Sequence, residues 1–188
     1  VAVRRQRQMC IRDSIDSEEV IWLASARDHK RAFNGDEGPN TGGMGAVSPS
    51  PDETNKLRKH IIENILNPVA KGMVLDGKPY TGILYAGLML TDTGPKVIEF
   101  NCRFGDPEAQ VILPRLESDL LDLILLHCNK AQKDAVIKFS NDVAITVVMA
   151  NKGYPGSYEP NSIIKDIDLV SLNKNCFIYH SGTGMNQK

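Results

Sequence analysis

Residues 97–108 read Val97-Ile98-Glu99-Phe100-Asn101-Cys102-Arg103-Phe104-Gly105-Asp106-Pro107-Glu108. The run opens as a β-strand and closes as a loop. Successive strand side chains alternate faces, so Glu99 and Asn101 share one face while Ile98 and Phe100 share the other. The apolar pair can anchor the strand in a core. The polar pair sets a carboxylate beside an amide oxygen, a hard-oxygen donor set suited to Mg²⁺. Arg103, Asp106 and Glu108 follow at once, a guanidinium fit for forked recognition of phosphate or carboxylate among acidic groups. Such a cluster costs desolvation energy unless it is wet, paired or ligand-bound. From the chemistry alone, a strand end closed by a structural ion pair explains it equally well.

Gly38-Pro39-Asn40-Thr41-Gly42-Gly43-Met44-Gly45 is the second signal. Glycines permit positive φ and let backbone N–H groups approach an anion closely. No Gly-Lys-Ser/Thr follows, so this is not a Walker A loop. Taken alone it reads as an ordinary turn as readily as an anion cradle. Its lead-in, Asp28, His29, Lys30 and Arg31, carries charge that either meets a phosphorylated ligand or forms a solvated, salt-bridged loop. The sequence holds no GxSxG and no HExxH, and Gly182-Thr183-Gly184 lacks the third glycine of a dinucleotide fingerprint. His60 and His127 are expected to be structural.

Outward from these two runs, residues 19–26 read as a short strand. A helix is expected from Asp52 as cap to about Met73, with Leu57, Ile61, Ile65 and Val69 as one apolar stripe and Pro68 as a kink or stop. Residues 81–90 read as a buried strand. The turn Asp92-Thr93-Gly94-Pro95 returns it through residues 96–101 as a hairpin. A helix follows over 107–116. A second, capped by Ser118 or Asp119, runs through His127 with Leu120, Leu121, Ile124, Leu125 and Cys128 toward the core. Residues 143–150 and 176–180 read as further strands. The composition turns polar near residues 129–134, so a domain boundary is expected between about 130 and 142.

The 188 residues suit one domain and part of another, and the net charge of −1 gives no basic surface for nucleic acid. No apolar run approaches the roughly 18 residues of a membrane span. Cys102, Cys128 and Cys176 lack any metal spacing and read as reduced, cytoplasmic thiols. Residues 4–14, RRQRQMCIRDS, have no periodicity and look like a translated sequencing adapter. Residues 1–14 are therefore expected to be disordered and outside the fold, with a basic nucleic-acid arm as the alternative. The chain is expected to be a truncated fragment.

SARDHKRAFNGDEGPNTGGMGAVSPSP at residues 25–51 and YTGILYAGLML with KVIEFNCRFGDPEAQ between residues 80 and 110 together resemble the phosphoribosylamine–glycine ligase family, ATP-grasp enzymes of purine biosynthesis. VAITVVMANKGYPGSYEP at residues 143–160 is similar to the start of that family's C-terminal domain. The resemblance implies an α/β (α+β) ATP-grasp subdomain over residues 15–135, its mainly antiparallel sheet flanked by helices, and a truncated small C-terminal domain over 136–188. It implies ligation of glycine to 5-phosphoribosylamine with ATP, through glycyl phosphate, giving glycinamide ribonucleotide, ADP and phosphate. By the same resemblance Glu99 and Asn101 ligate Mg²⁺ or Mn²⁺, and Arg103 steadies the transferred phosphoryl group. Asp106 and Glu108 hold the amine substrate or orient Arg103. Lys30 and the loop residues Asn40, Thr41, Gly42, Gly43 and Gly45 contact the phosphoribosyl substrate or the phosphates of ATP.

The family's N-terminal domain and ATP-gripping lid are not in this chain, so the fragment alone is expected to be inactive. No nucleic-acid or membrane partner is expected. Another ATP-grasp ligase, a carboxylase or carbamoyl-phosphate enzyme, is the nearest rival. Such enzymes often take an acidic ligand from the preceding strand, and residues 81–90 have none. A non-catalytic binding module is the more distant rival, opposed by the intact Glu99, Asn101 and Arg103.

Overall fold

The structure, a computed structural model, describes residues 9–14, 19–129, 136–171 and 173–185. The chain divides into two compact units, Val1–Met149 and Ala150–Lys188.

The first unit is built on a four-stranded antiparallel sheet in the order β2-β1-β7-β8. These strands are β1 (Met9–Ser14), β2 (Glu19–Ile21), β7 (Thr81–Thr91) and β8 (Gly94–Asn101). The β7–β8 hairpin matches the expected one, turning at Gly94 with φ +102°, a conformation that glycine alone adopts without strain. β1 corrects an expectation. Residues 1–14 do not all stand outside the fold, because Met9–Ser14 pairs along β7 from Met9↔Ala86 to Ser14↔Thr81. Residues 1–8 lie outside the described residues. Pairing of this kind draws on main-chain N–H and C=O groups, which any non-proline sequence offers.

Between β2 and β7 the chain forms β3 (Arg27–Asp28), β4 (Arg31–Phe33), β5 (Glu37–Asn40) and β6 (Gly45–Ser48). The expected strand over 19–26 stops at Ile21, and Trp22 to Ala26 continue as buried irregular chain. The long helix is α1 (Asn55–Ile61), a π-helical turn (Ile62–Leu66) and α2 (Asn67–Leu75). Its cap is Thr54 rather than Asp52, with the Thr54 hydroxyl accepting from the Leu57 N–H at 3.1 Å. Pro68 lies in the first turn of α2. A proline ring crowds the carbonyl four residues back, and the widened π turn relieves that. The extra residue also shifts the buried stripe from the expected Ile65 and Val69 to Leu66 and Ala70, both fully buried below Ile61. Ile61 and Leu66 pack with Trp22, Ala86 and Leu88 as one core, with Leu57 and Ile65 against it.

Past β8 come α3 (Ala109–Ile112) and a 3₁₀ turn (Leu113–Arg115). Then α4 (Leu120–Cys128) follows, capped by Asp119 as expected, its carboxylate accepting from the Leu121 and Asp122 N–H groups. The buried face of α4 is Leu123 and His127, one turn apart. Leu121, Ile124 and Leu125 are exposed, contrary to the expected core. β9 (Ala144–Val147) pairs with β6 and completes a second sheet, β3-β6-β9. That pairing carries the boundary past the expected 130–142 to residues 149–150.

Among its described residues the second unit has turns at residues 151–156 and one short helix, α5 (Ile167–Ser171). The strand expected at 176–180 does not form, and Phe177, Ile178 and Tyr179 are exposed. A strand requires a hydrogen-bonding neighbour, and none of the described residues supplies one there. Among the described residues no helix is long and apolar enough to cross a membrane.

Candidate functional site

The β7–β8 register pairs Tyr85 with Asn101 and Gly87 with Glu99. Directly paired residues share a face, so Tyr85, Gly87, Glu99 and Asn101 stand on one side of the sheet. Ala86 and Phe100 stand on the other, in the core formed with Trp22 and Leu88. A Cβ on Gly87 would lie 3.0 Å from Glu99 Cγ, so the glycine leaves room for the carboxylate to lie across β7. Glu99 is exposed and Asn101 half-buried. Ile98 departs from the expected anchoring. The pairing shifts register between Gly87 and Leu88, which meets Val97, and Ile98 is 45% exposed at that irregularity.

Beyond Asn101 the two sequence signals meet. Gly43 (φ +133°) is buried against Pro107, and a Cβ there would overlap Pro107 Cδ and stand 3.0 Å from Asp28 Oδ1. On the far side of Pro107, Glu108 is 1% exposed, with Oε1 accepting from the Tyr85 hydroxyl at 3.1 Å. Gly105 is equally confined, since a Cβ on it would overlap the Glu108 carboxylate and crowd Tyr85. Gly43 therefore answers to the packing of one loop on the other, and Gly105 to the packing of Glu108 and Tyr85 within the junction.

Two buried carboxyls lie at this junction. The Asp28 side chain is 1% exposed, its Oδ2 stands 3.7 Å from Lys30 Nζ, and its Oδ1 has no hydrogen-bond partner among the described residues. Burial, and then the charge of Glu108, push Asp28 up to about 7, against a smaller opposing pull from Lys30. Burial likewise raises Glu108, opposed by its backbone hydrogen bond, the Tyr85 hydroxyl and Lys30. The Lys30 charge thus works against the upward push on both carboxyls, which are drawn from different motifs.

The structure sorts the expected site residues. Lys30 and the loop are tied at the main chain, where Thr41 donates to the Lys30 carbonyl from its N–H at 2.7 Å and from its hydroxyl at 2.9 Å. The Gly43 N–H donates to the Thr41 hydroxyl oxygen at 3.0 Å. Asn40 and Gly42 are exposed at this edge. Gly45 is a correction, being buried in β6 with its carbonyl taken by the His29 N–H and its Cβ position facing Thr146 O, so it serves strand packing. Arg103 is exposed and folds back to donate to the Phe104 carbonyl at 2.7 Å. Asp106 accepts from Gln110 at 2.8 Å instead of orienting Arg103. Glu108 is locked by the Tyr85 hydroxyl rather than orienting Arg103.

Asp28 and Tyr85 are the residues that the motif reading undervalued. Tyr85 carried a signal, as a polar-tipped residue in an otherwise apolar buried strand, where a hydroxyl needs a partner. No group of three or more His, Cys, Asp or Glu side chains able to hold a metal occurs among the described residues. The donor set on the hairpin face is one carboxylate and one amide oxygen. That fits Mg²⁺, which keeps waters and takes substrate phosphate oxygens to complete its shell.

Residues 7–109 match the family described as phosphoribosylglycinamide synthetase, ATP-grasp (A) domain. The chain is 47% identical over 177 residues to a chloroplastic phosphoribosylamine–glycine ligase of Arabidopsis thaliana, covering 93% of this chain and 33% of the relative. It is 49% identical over 173 residues to the enzyme of that name from Listeria innocua, covering 92% and 40%. Among solved structures it superposes on a phosphoribosylamine–glycine ligase from Thermotoga maritima with a TM-score of 0.68 at 33% identity, covering 82% of this chain and 38% of that one. The chain spans between a third and two fifths of the length of these relatives.

Proposed function

The chain belongs to the phosphoribosylglycinamide synthetase ATP-grasp family, and from that premise we propose that it forms the catalytic half of an ATP-dependent glycine ligase. The complete protein would join glycine to 5-phosphoribosylamine. A glycine carboxylate oxygen attacks the γ-phosphorus of ATP, the bond to ADP breaks, and glycyl phosphate forms. The amine nitrogen then attacks the acyl carbon, phosphate leaves, and the amine gives up a proton.

The observation that carries this reading is the shared face of Glu99 and Asn101 on β8, opened by Gly87 and adjoining the junction of the two loops. Glu99 and Asn101 would hold Mg²⁺ or Mn²⁺, which supplies neutralisation of the phosphate oxygens during transfer. Arg103, exposed next to this face, has unused donors for the transferred phosphoryl group, a fixed charge where negative charge develops. Asn40, Thr41 and Gly42 edge the same junction and are assigned to the phosphate end of a substrate, with Lys30 behind them. Asp106 and Glu108 are assigned to the amine side.

Grafting residues 19–149 in place of their counterparts in the Listeria innocua ligase tests this reading. The graft is expected to make glycinamide ribonucleotide, and Glu99→Ala in it should lower turnover by about a hundredfold or more, the scale set by removing a charge-stabilising group from phosphoryl transfer. An inactive graft, or a Glu99→Ala graft that turns over like its parent, removes the reading.

A further inference from the structure

We propose that Asp28 is a positioning residue which tethers the Lys30 ammonium at the junction of the two motif loops. The proposal rests on the reading of Lys30 as a substrate contact only for its consequence in catalysis. The tether itself stands on geometry.

A lysine head on a four-carbon stem loses rotamer entropy when it is fixed, so a held lysine needs partners that outweigh solvent. The Lys30 main chain is held by the two Thr41 hydrogen bonds. Its head reaches inward, with Nζ 3.7 Å from Asp28 Oδ2 and the side chain 24% exposed. Asp28 comes from β3 and Glu108 from the turn preceding α3, and the charge of Glu108 bears on Asp28 across that junction. Gly43 covers Asp28 Oδ1, which keeps water from competing for that carboxyl. Glu108 is fixed in turn by Tyr85.

The charge balance makes the tether adjustable. Asp28 faces Lys30 and Glu108 and accepts a hydrogen bond from the His29 backbone, while Glu108 faces Tyr85, Lys30 and Asp106. With Asp28 raised to about 7, ionisation near neutrality changes its hold on Lys30. Below that range the carboxyl is neutral and the tether slackens.

The test uses the full 188-residue chain with lysine labelled at ¹³Cε, the Lys30 signal being assigned by Lys30→Arg. The expected result is a step in the Lys30 chemical shift with a midpoint near 7, absent in Asp28→Asn and restored with a displaced midpoint in Asp28→Glu. The Lys30 head should also become more mobile in Asp28→Asn. A Lys30 signal indifferent to Asp28→Asn overturns the proposal. Should Asp28→Asn fail to fold, Glu108→Gln reads the same junction. It removes a neighbouring negative charge and should move the step to lower pH, and an unmoved step overturns the tether. Neither result bears on Glu99 and Asn101, so failure of the tether and failure of the ligase reading remain distinguishable.

Discussion

Gly43 packs directly on Pro107, so that the Gly-rich loop and the loop after β8 share one buried contact. A Gly43→Ala substitution meets both a backbone φ of +133° that L-residues rarely adopt and the Pro107 ring. We expect it to destabilise the first unit by about 2–4 kcal/mol. It should also raise hydrogen exchange of the Thr41 and Met44 amides, which bond back to residues 30 and 29. Unchanged exchange at those amides would mean that the loops are held independently.

Gly87→Ala separates the site from the fold. The added methyl group meets Glu99 Cγ at 3.0 Å but sits in a strand, where alanine is no worse than glycine. Thermal stability should hold within about 0.5 kcal/mol. Affinity for Mn²⁺ should fall about tenfold as the carboxylate is pushed aside, as measured by water proton relaxation. Undiminished Mn²⁺ binding would detach Glu99 from the metal.

Asp28 gives a pH dependence of defined sign. Its carboxyl is raised from 3.8 to about 7, so the folded state holds the proton more tightly than the unfolded chain. The stabilisation is complete below the unfolded value and is lost as pH rises through about 7. Glu108, raised by burial, adds to it with the same sign. Asp28→Asn carries no ionisable group and escapes that loss. Urea unfolding should find it more stable than the parent at pH 8, by about 1–3 kcal/mol, and no more stable at pH 4. An equal difference at both pH values would contradict the buried-carboxyl account.

Arg115 is the fastener of β9. Its guanidinium, 8% exposed, donates to the Asp142 carbonyl, the Ser48 hydroxyl and the Ser140 carbonyl at 2.7, 2.8 and 2.9 Å. Arg115→Ala should cost about 3–5 kcal/mol, and Arg115→Lys should recover little, because an ammonium cannot span three divergent acceptors. Recovery by lysine in urea unfolding would reduce Arg115 to a point charge.

The hairpin, the Asp119 cap and the shared face of Glu99 and Asn101 were legible in the sequence, because alternation and turn chemistry are local rules. Other features depended on partners that local pattern cannot see. Leu66 took the centre of the core and Ile65 its margin because a π turn ahead of Pro68 rephased the helix. Ile98 left the core because the register slipped at Gly87 and Leu88. Gly45 proved structural only once Thr146 of β9 stood beside it. Met9–Ser14 entered the sheet by main-chain pairing, which side-chain pattern does not encode. The junction of Asp28, Lys30 and Glu108 required the two motifs to be brought together in space, although each was conspicuous alone.

Under the proposed function Glu99 and Asn101 together receive the metal of a metal–ATP complex. Paramagnetic broadening by Mn²⁺–ATP in the ¹⁵N- and ¹³C-labelled chain tests it directly, since the effect registers even weak binding. Broadening should centre on the Asn101 side-chain amide and the Glu99 carboxylate and be lost in Glu99→Gln. Broadening centred elsewhere, or unchanged by that substitution, would contradict it.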